Sequence, residues 1–275
     1  MSQSAVQIYD SSRRRSLLVE ELFELIRYRD LLVQLIVRNV KTRYKRSVLG
    51  IFWTMLNPLL MMTVLAIVFS NIFRIQTKYY AVYVLSGLIC WNFFAQTTSA
   101  AMSELLWGGS LMNRIYVPRA VFAVSALGTG LVNLVLSMVP LVLIMLVTGV
   151  PITVWLLFVP VPMILLSMFA LGVGLFLSTL ASYFADVLDM FQIILTTWMY
   201  LTPIIYPKDV IPEQYRWLFN LNPMYHLLEV FRAPFYAGWL AGYKTVLAAG
   251  TVAVVALLFG WSFFTRRADG LPYRI

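Results

Sequence analysis

Polar residues recur along the N-terminal region at Glu20, Glu24, Arg27, Asp30, Gln34, Arg38, Lys41 and Lys45, in steps of three or four. That spacing keeps them on one face of a helix, with Leu22, Leu25, Leu32, Ile36 and Val40 elsewhere on its circumference. The pattern predicts a basic amphipathic helix that lies along a membrane surface, its apolar side in lipid and its cations toward acidic headgroups. The chain then passes directly into long apolar runs.

A membrane-spanning helix needs roughly 20 apolar residues. The charge-free windows predict a first span at 47–73, closed by Arg74 and Lys78, and a second at 79–103, closed by Glu104. The next window is too long for one helix, and Thr148, Gly149, Val150 and Pro151 divide it into spans at 120–148 and 152–182. A fifth span is expected at 188–207 and a sixth at 245–265. Between them, 208–244 is rich in apolar residues and interrupted by Pro212, Pro223 and Pro234. Its charge-free pieces are too short to cross, so it reads as a re-entrant helical pair or, alternatively, an interfacial loop with aromatic anchors. The fold expected is all-α and integral to the membrane. A cytoplasmic N-terminus (1–46) precedes a six-span domain (47–265), and a short tail (266–275) follows.

Composition agrees with this reading. The chain is 61% hydrophobic and 12% charged, which excludes an ordinary soluble domain. Of 21 Lys and Arg, ten precede Ser47, so the net charge of +9 points to anionic lipid rather than nucleic acid. With the N-terminus inside, fifteen of these cations face the cytoplasm, which places both termini there. Cys90 is the one cysteine, so no disulfide framework or cysteine metal site is expected. The charged start argues against a cleavable signal peptide. No G-x-x-x-x-G-K-[ST] string occurs, so the chain lacks a phosphate-cradling loop of its own.

Five stretches in order carry a family resemblance: RYKRSVLGIFWTMLNPLL (43–60), NRIYVPRAVF (113–122), SYFADV (182–187), TPIIYP (202–207) and LNPMYHLLEVFR (221–232). Together they resemble the membrane subunits of type-2 ABC exporters, in the branch that exports O-antigen, capsule and teichoic acid. The resemblance covers nearly the whole chain. It implies a multi-pass permease of the bacterial cytoplasmic (inner) membrane, working as a homodimer on a lipid-linked glycan such as a lipopolysaccharide precursor. It also implies two copies of a separate ATPase subunit that carries ATP and Mg, and no cofactor or enzymatic activity in this chain.

The resemblance assigns Asn113, Arg114, Tyr116, Val117 and Pro118 to a coupling helix that docks on the ATPase. Tyr and Arg are enriched at interface hot spots, although a plain loop with positive-inside arginines explains the same residues. Tyr183 and Asp186 belong to a second candidate contact. There Ala185 stands where the family often has Arg, and Asp186 and Asp189 equally suit the positive end of the following helix. In the two later motifs, Pro203, Tyr206, Pro207, Asn222, Pro223 and Tyr225 form a candidate outer gate. Asn222-Pro223 reads as a helix start, and Glu229 as an ion-pair partner of Arg232.

Aromatic rings match the apolar C–H faces of sugars without binding tightly, so Phe93, Phe94, Trp198 and Tyr200 are candidates for a glycan path. The competing assignment is membrane-interface and packing aromatics. Arg38, Lys41, Arg43, Lys45 and Arg46 are candidates to receive an anionic lipid head. His226 and Glu229 alone do not make a metal site. Two alternatives remain. A drug or small-lipid exporter permease shares the topology, whereas a secondary transporter or channel normally places ionisable groups within its spans.

Overall fold

The computed structural model describes residues 17–45, 47–69, 79–107 and 117–267. These residues are helical with short connections and contain no strand. The helices are α1 (Leu17–Arg27), α2 (Arg29–Tyr44), α3 (Phe52–Ile67), α4 (Tyr80–Trp107), α5 (Ala120–Thr148), α6 (Pro160–Tyr183), α7 (Val187–Leu201), α8 (Trp217–Leu221), α9 (Pro223–Tyr236) and α10 (Tyr243–Arg267). Among the described residues, three helical stretches are long and apolar enough to cross a membrane: Ala120–Thr148, Val154–Tyr183 and Tyr243–Arg267. The helices Phe52–Ile67 and Val187–Leu201 are apolar but shorter.

At the centre stands α4, with α3, α5, α6, α7 and α9 packed around it. Every residue from Val82 to Trp91 is buried, so protein surrounds this helix on all sides for nearly three turns. Ser86, Thr97 and Thr98 are buried against protein, and both Ser86 and Thr98 bond back to carbonyls of their own helix.

The closest helix pair is α6 with α10. A Cβ on Gly172 would run into the Ala256 carbonyl, and one on Gly260 into the Gly172 carbonyl, so the two backbones touch. Ala249 and Ala253, fully buried, continue the small-residue stripe along α10. The chain leaves α5 through Gly149 in the left-handed conformation (φ 71°), and Pro151 prevents the helix from resuming.

The N-terminal pattern predicts one helix but the structure has two, because the backbone departs from helical geometry at Tyr28 (φ −95°, ψ 21°). Nor does the apolar side simply face lipid. Leu35 is buried in a cluster with Val117, Ala120, Val121 and Phe264, and Leu25, Leu31 and Leu32 pack against it. Ile36 lies over Gly128 of α5. Val33 and Val37 remain exposed on the opposite side.

Candidate functional site

At Leu201 the helical hydrogen-bonding pattern of α7 stops, yet Thr202, Pro203, Ile204 and Ile205 are buried. At 15 residues α7 spans only about 22 Å, less than the ~30 Å of a bilayer core. Irregular backbone inside a membrane protein persists only where protein satisfies its polar groups. Here α4 and α9 supply the donors. Tyr80 donates to the Ile205 carbonyl at 2.7 Å, and the Tyr83 hydroxyl lies 3.1 Å from both the Pro203 and Tyr206 carbonyls. Arg232 donates through Nη1 to the Pro203 carbonyl (3.1 Å) and through Nη2 to that of Ile204 (3.2 Å).

Arg232 is only 2% exposed. Its charge is balanced by Glu229 one turn back, 3.5 Å away, and its guanidinium stacks 3.7 Å from the Tyr83 ring centroid. Gly87 leaves the space this requires, since a Cβ there would collide with Nη2 of Arg232 and with Ile204. The charged pair interrupts the apolar run in the sequence but not the helix. Both residues lie within α9, which runs unbroken from Pro223 to Tyr236.

Asn222 ties α7 to α9. Its Oδ1 accepts from the Met224 backbone N–H (3.0 Å), capping α9, and from Trp198 Nε1 (2.8 Å). Its Nδ2 donates to Thr202 Oγ1 (2.9 Å) and to the Leu201 carbonyl (3.2 Å). Pro223 takes the first helical position, where its missing N–H costs nothing. The Tyr206 hydroxyl closes the loop by donating to the Tyr200 carbonyl at 2.7 Å. Beside this network opens a cavity of about 560 Å³ lined by Pro207, Lys208, Tyr225, Glu229, Tyr236 and Trp239. Thus Pro203, Tyr206, Asn222 and Pro223 belong to one braced unit, and Pro207 and Tyr225 line the space next to it. Tyr80, Tyr83 and Gly87 were not singled out from the sequence. Their signal is a one-turn spacing on a single face of α4.

The candidate path aromatics fall in different surroundings. Phe94 has no exposed surface; it stacks on Phe169 (5.2 Å) and meets Trp198 edge-on (5.4 Å). A ring sealed in the core of the chain has no open face, and its contacts are with other aromatic side chains. Trp198 is half-buried, Phe93 is 5% exposed on another side of α4, and Tyr200 is 62% exposed.

At the other end of α4, Glu104 accepts from Asn39 Nδ2 of α2 (2.8 Å) and from Ser125 Oγ of α5 (2.6 Å), joining three helices. Arg43 donates to Gln96 of α4 at 3.0 Å. Arg38, Lys41 and Lys45 rim an open groove whose floor includes Val33, Val37 and Ile51. Of the expected coupling residues, Val117 and Pro118 are buried beside α2, whereas Asn113, Arg114 and Tyr116, like Arg46, lie outside the described residues. Tyr183 ends α6, with the Arg267 guanidinium 5.4 Å from its ring. Asp186 precedes α7 without a side-chain cap bond, and Asp189 sits in its first turn; both are exposed.

Residues 30–236 match the family described as ABC-2 type transporter. Among similar proteins, an O-antigen export system permease protein RfbA from Myxococcus xanthus is 31% identical over 258 residues, covering 92% of this chain and 96% of that protein. A Klebsiella pneumoniae RfbA is 28% identical, covering 89% of this chain and 93% of its own length. The polysialic acid transport protein KpsM of Escherichia coli is 24% identical, covering 86% and 93%.

Proposed function

This chain belongs to the ABC-2 type transporter family, and from that membership we propose that it is the permease subunit of an ATP-driven exporter of lipid-linked polysaccharide. The observation that carries the reading is similarity along almost the whole chain to permeases named for O-antigen export.

In this proposal six spans (47–73, 79–103, 120–148, 152–182, 188–207 and 245–265) place both termini in the cytoplasm, and 208–244 forms a re-entrant pair at the outer face. Two copies pair, with two ATPase subunits that bind ATP and Mg. The segment 113–118, with Tyr183 and Asp186, receives the ATPase movement. Buried Val117 passes it to α2, and Glu104 passes it between α2, α4 and α5. Arg38, Lys41, Arg43, Lys45 and Arg46 attract the anionic lipid head to a groove with an apolar floor. The glycan then runs past Tyr200 and the exposed side of α7, with Trp198 behind it. It leaves by the aromatic cavity at Tyr225, Tyr236 and Trp239. Flat rings there stack on sugar faces, while the braced 202–207 segment acts as a rigid outer gate rather than a flexible loop.

Purification in mild detergent with soluble proteins of the same cell tests the reading. Co-elution of an ATPase bearing a phosphate-binding loop is expected, as is intracellular accumulation of lipid-linked glycan when the chain is removed. Ion conductance by the isolated chain without such a partner would instead favour a channel.

A further inference from the structure

The two N-terminal helices are anchored to different helices of the bundle. α1 packs on α10 and more lightly on α5, whereas α2 packs on α5. In α1, Glu21 accepts from Thr265 Oγ1 near the end of α10 at 2.9 Å, across 244 residues of sequence. Thr265 is buried, so this bond to a carboxylate forms where water does not compete. In α2, Asn39 donates to Glu104 at the end of α4 (2.8 Å), and Ser125 of α5 donates to the same carboxylate (2.6 Å). The anchors stand about two helical turns before Tyr28 and about three turns after it.

Between the anchors the contacts are of another kind. Leu25, Tyr28, Leu31 and Leu32 pack on one buried apolar cluster, and Leu35 is part of it. Apolar contact is non-directional, so this surface supports the helices without fixing the angle between them. At Tyr28 the backbone leaves helical geometry (φ −95°, ψ 21°). Even so, its N–H donates to the Glu24 carbonyl (2.9 Å) and its own carbonyl accepts from Leu32 (3.0 Å). The break is therefore a short non-helical joint with hydrogen bonds kept on both sides, the form of a hinge.

The anchored helices belong to different pairs. α10 packs most closely on α6, through Gly172 and Gly260, and α5 packs most closely on α4. We propose that α1 and α2 form a hinged strap between these pairs. Glu21 with Thr265 holds one end, Asn39 with Glu104 holds the other, and bending at Tyr28 lets the pairs shift against each other without releasing either end. The inference rests on the exporter reading for its place in the cycle, because the topology proposed above turns this end of the bundle toward the cytoplasm and the ATPase. Thr265 and Asn39 are positioning residues in it: each acts by holding a helix.

Spin labels on the full chain in nanodiscs test the strap through pulsed dipolar distances. The labelled positions are Phe23 in α1, Thr42 in α2 and Arg266 in α10, all exposed. In the chain alone, the distance from 23 to 266 should have one narrow distribution. Thr265→Val, close in shape to the original, should add a second, longer population, and Thr265→Ser should not. Identical distributions in all three overturn the anchor and the strap with it. With the ATPase partner, nucleotide-free complex is compared with complex held with ATP by a hydrolysis-deficient ATPase. The distance from 23 to 42, about 28 Å along a straight helix, should change by about 5 Å, while that from 23 to 266 stays constant. A constant 23-to-42 distance, or a 23-to-266 distance that lengthens with ATP, overturns the hinge. Thr265→Val should also lower the glycan exported per ATP hydrolysed about fivefold, the weight of one hydrogen bond, with recovery in Thr265→Ser. An equal loss of hydrolysis and export in Thr265→Val marks a merely structural residue and overturns the positioning role. If the partnered chain supports no ATP-dependent export while the distances behave as expected, the exporter reading falls and the strap stands.

Discussion

Replacing Arg232 by Met removes the donor that braces the chain after α7 while keeping most of the side-chain volume. Two charge-assisted hydrogen bonds, at 3.1 and 3.2 Å, disappear from buried carbonyls of Pro203 and Ile204. Each contributes about 1.5–3 kcal/mol, and the stacking on Tyr83 adds about 1–2 kcal/mol. The Glu229 pair is worth less, because that carboxylate retains 29% of its exposure and is partly screened. Met returns some of the loss through apolar burial, leaving a net cost of about 3–5 kcal/mol, in the range for breaking a buried pair. For a chain of this size each kcal/mol lowers Tm by roughly 2–4 °C, so a drop of about 10 °C is expected. Thermal unfolding in detergent, followed by fluorescence-detected size exclusion, reads this directly. Glu229→Gln serves as the comparison: Arg232 keeps both carbonyls and its stacking but loses a partly screened countercharge, so the cost should be about 1–3 kcal/mol, below that of Arg232→Met. A Tm for Arg232→Met within about 3 °C of the unmodified chain would refute the bracing argument. So would a larger loss in Glu229→Gln than in Arg232→Met.

Asn222→Ala removes the cap of α9 and the tie to Trp198 and Thr202, at a cost of about 2–3 kcal/mol, which the same thermal assay should detect. Gly260→Val drives side-chain atoms into the Gly172 carbonyl; folded monodisperse protein should be lost, and its recovery at normal yield would contradict the α6–α10 contact. Glu104→Ala frees Asn39 and Ser125 and should loosen α2, seen as faster proteolysis between α2 and α3, at a cost of about 1–3 kcal/mol. Combined reversal of Arg38, Lys41 and Lys45 to Glu should abolish glycan export with normal membrane insertion, and unchanged export would remove these residues from the lipid-head role.

Helix ends and local pairings were readable in the chain because they depend on neighbours in sequence. Gly149 with Pro151 marks a helix stop, Asn222-Pro223 a helix start, and Glu229 with Arg232 an i, i+3 pair, and each appears in the structure. The N-terminal helix was legible as helix but not as two segments, since nothing in its periodicity marks Tyr28 as a break. Periodicity identifies an apolar face without saying what covers it, and lipid is the expectation from sequence alone. Leu35 is covered by α5 and the end of α10 instead. The same ambiguity affects the aromatics: Phe94 and Tyr200 look alike as candidates, and only the packing of α4 against α6 and α7 seals one and exposes the other. The brace on 202–207 was hidden for a further reason. Tyr80 and Tyr83 lie about 120 residues from the carbonyls they serve, so their spacing on one face of α4 places them together without naming what they bind.

The proposed function requires that this chain export a lipid-linked glycan only when an ATPase partner drives it. Proteoliposomes holding the chain and that ATPase, loaded with a fluorescent lipid-linked oligosaccharide, measure the claim directly through quenching from one side. The expected result is translocation that requires ATP hydrolysis and stops when the ATPase is omitted or cannot hydrolyse ATP. Translocation at the same rate without ATP or without the partner would contradict it.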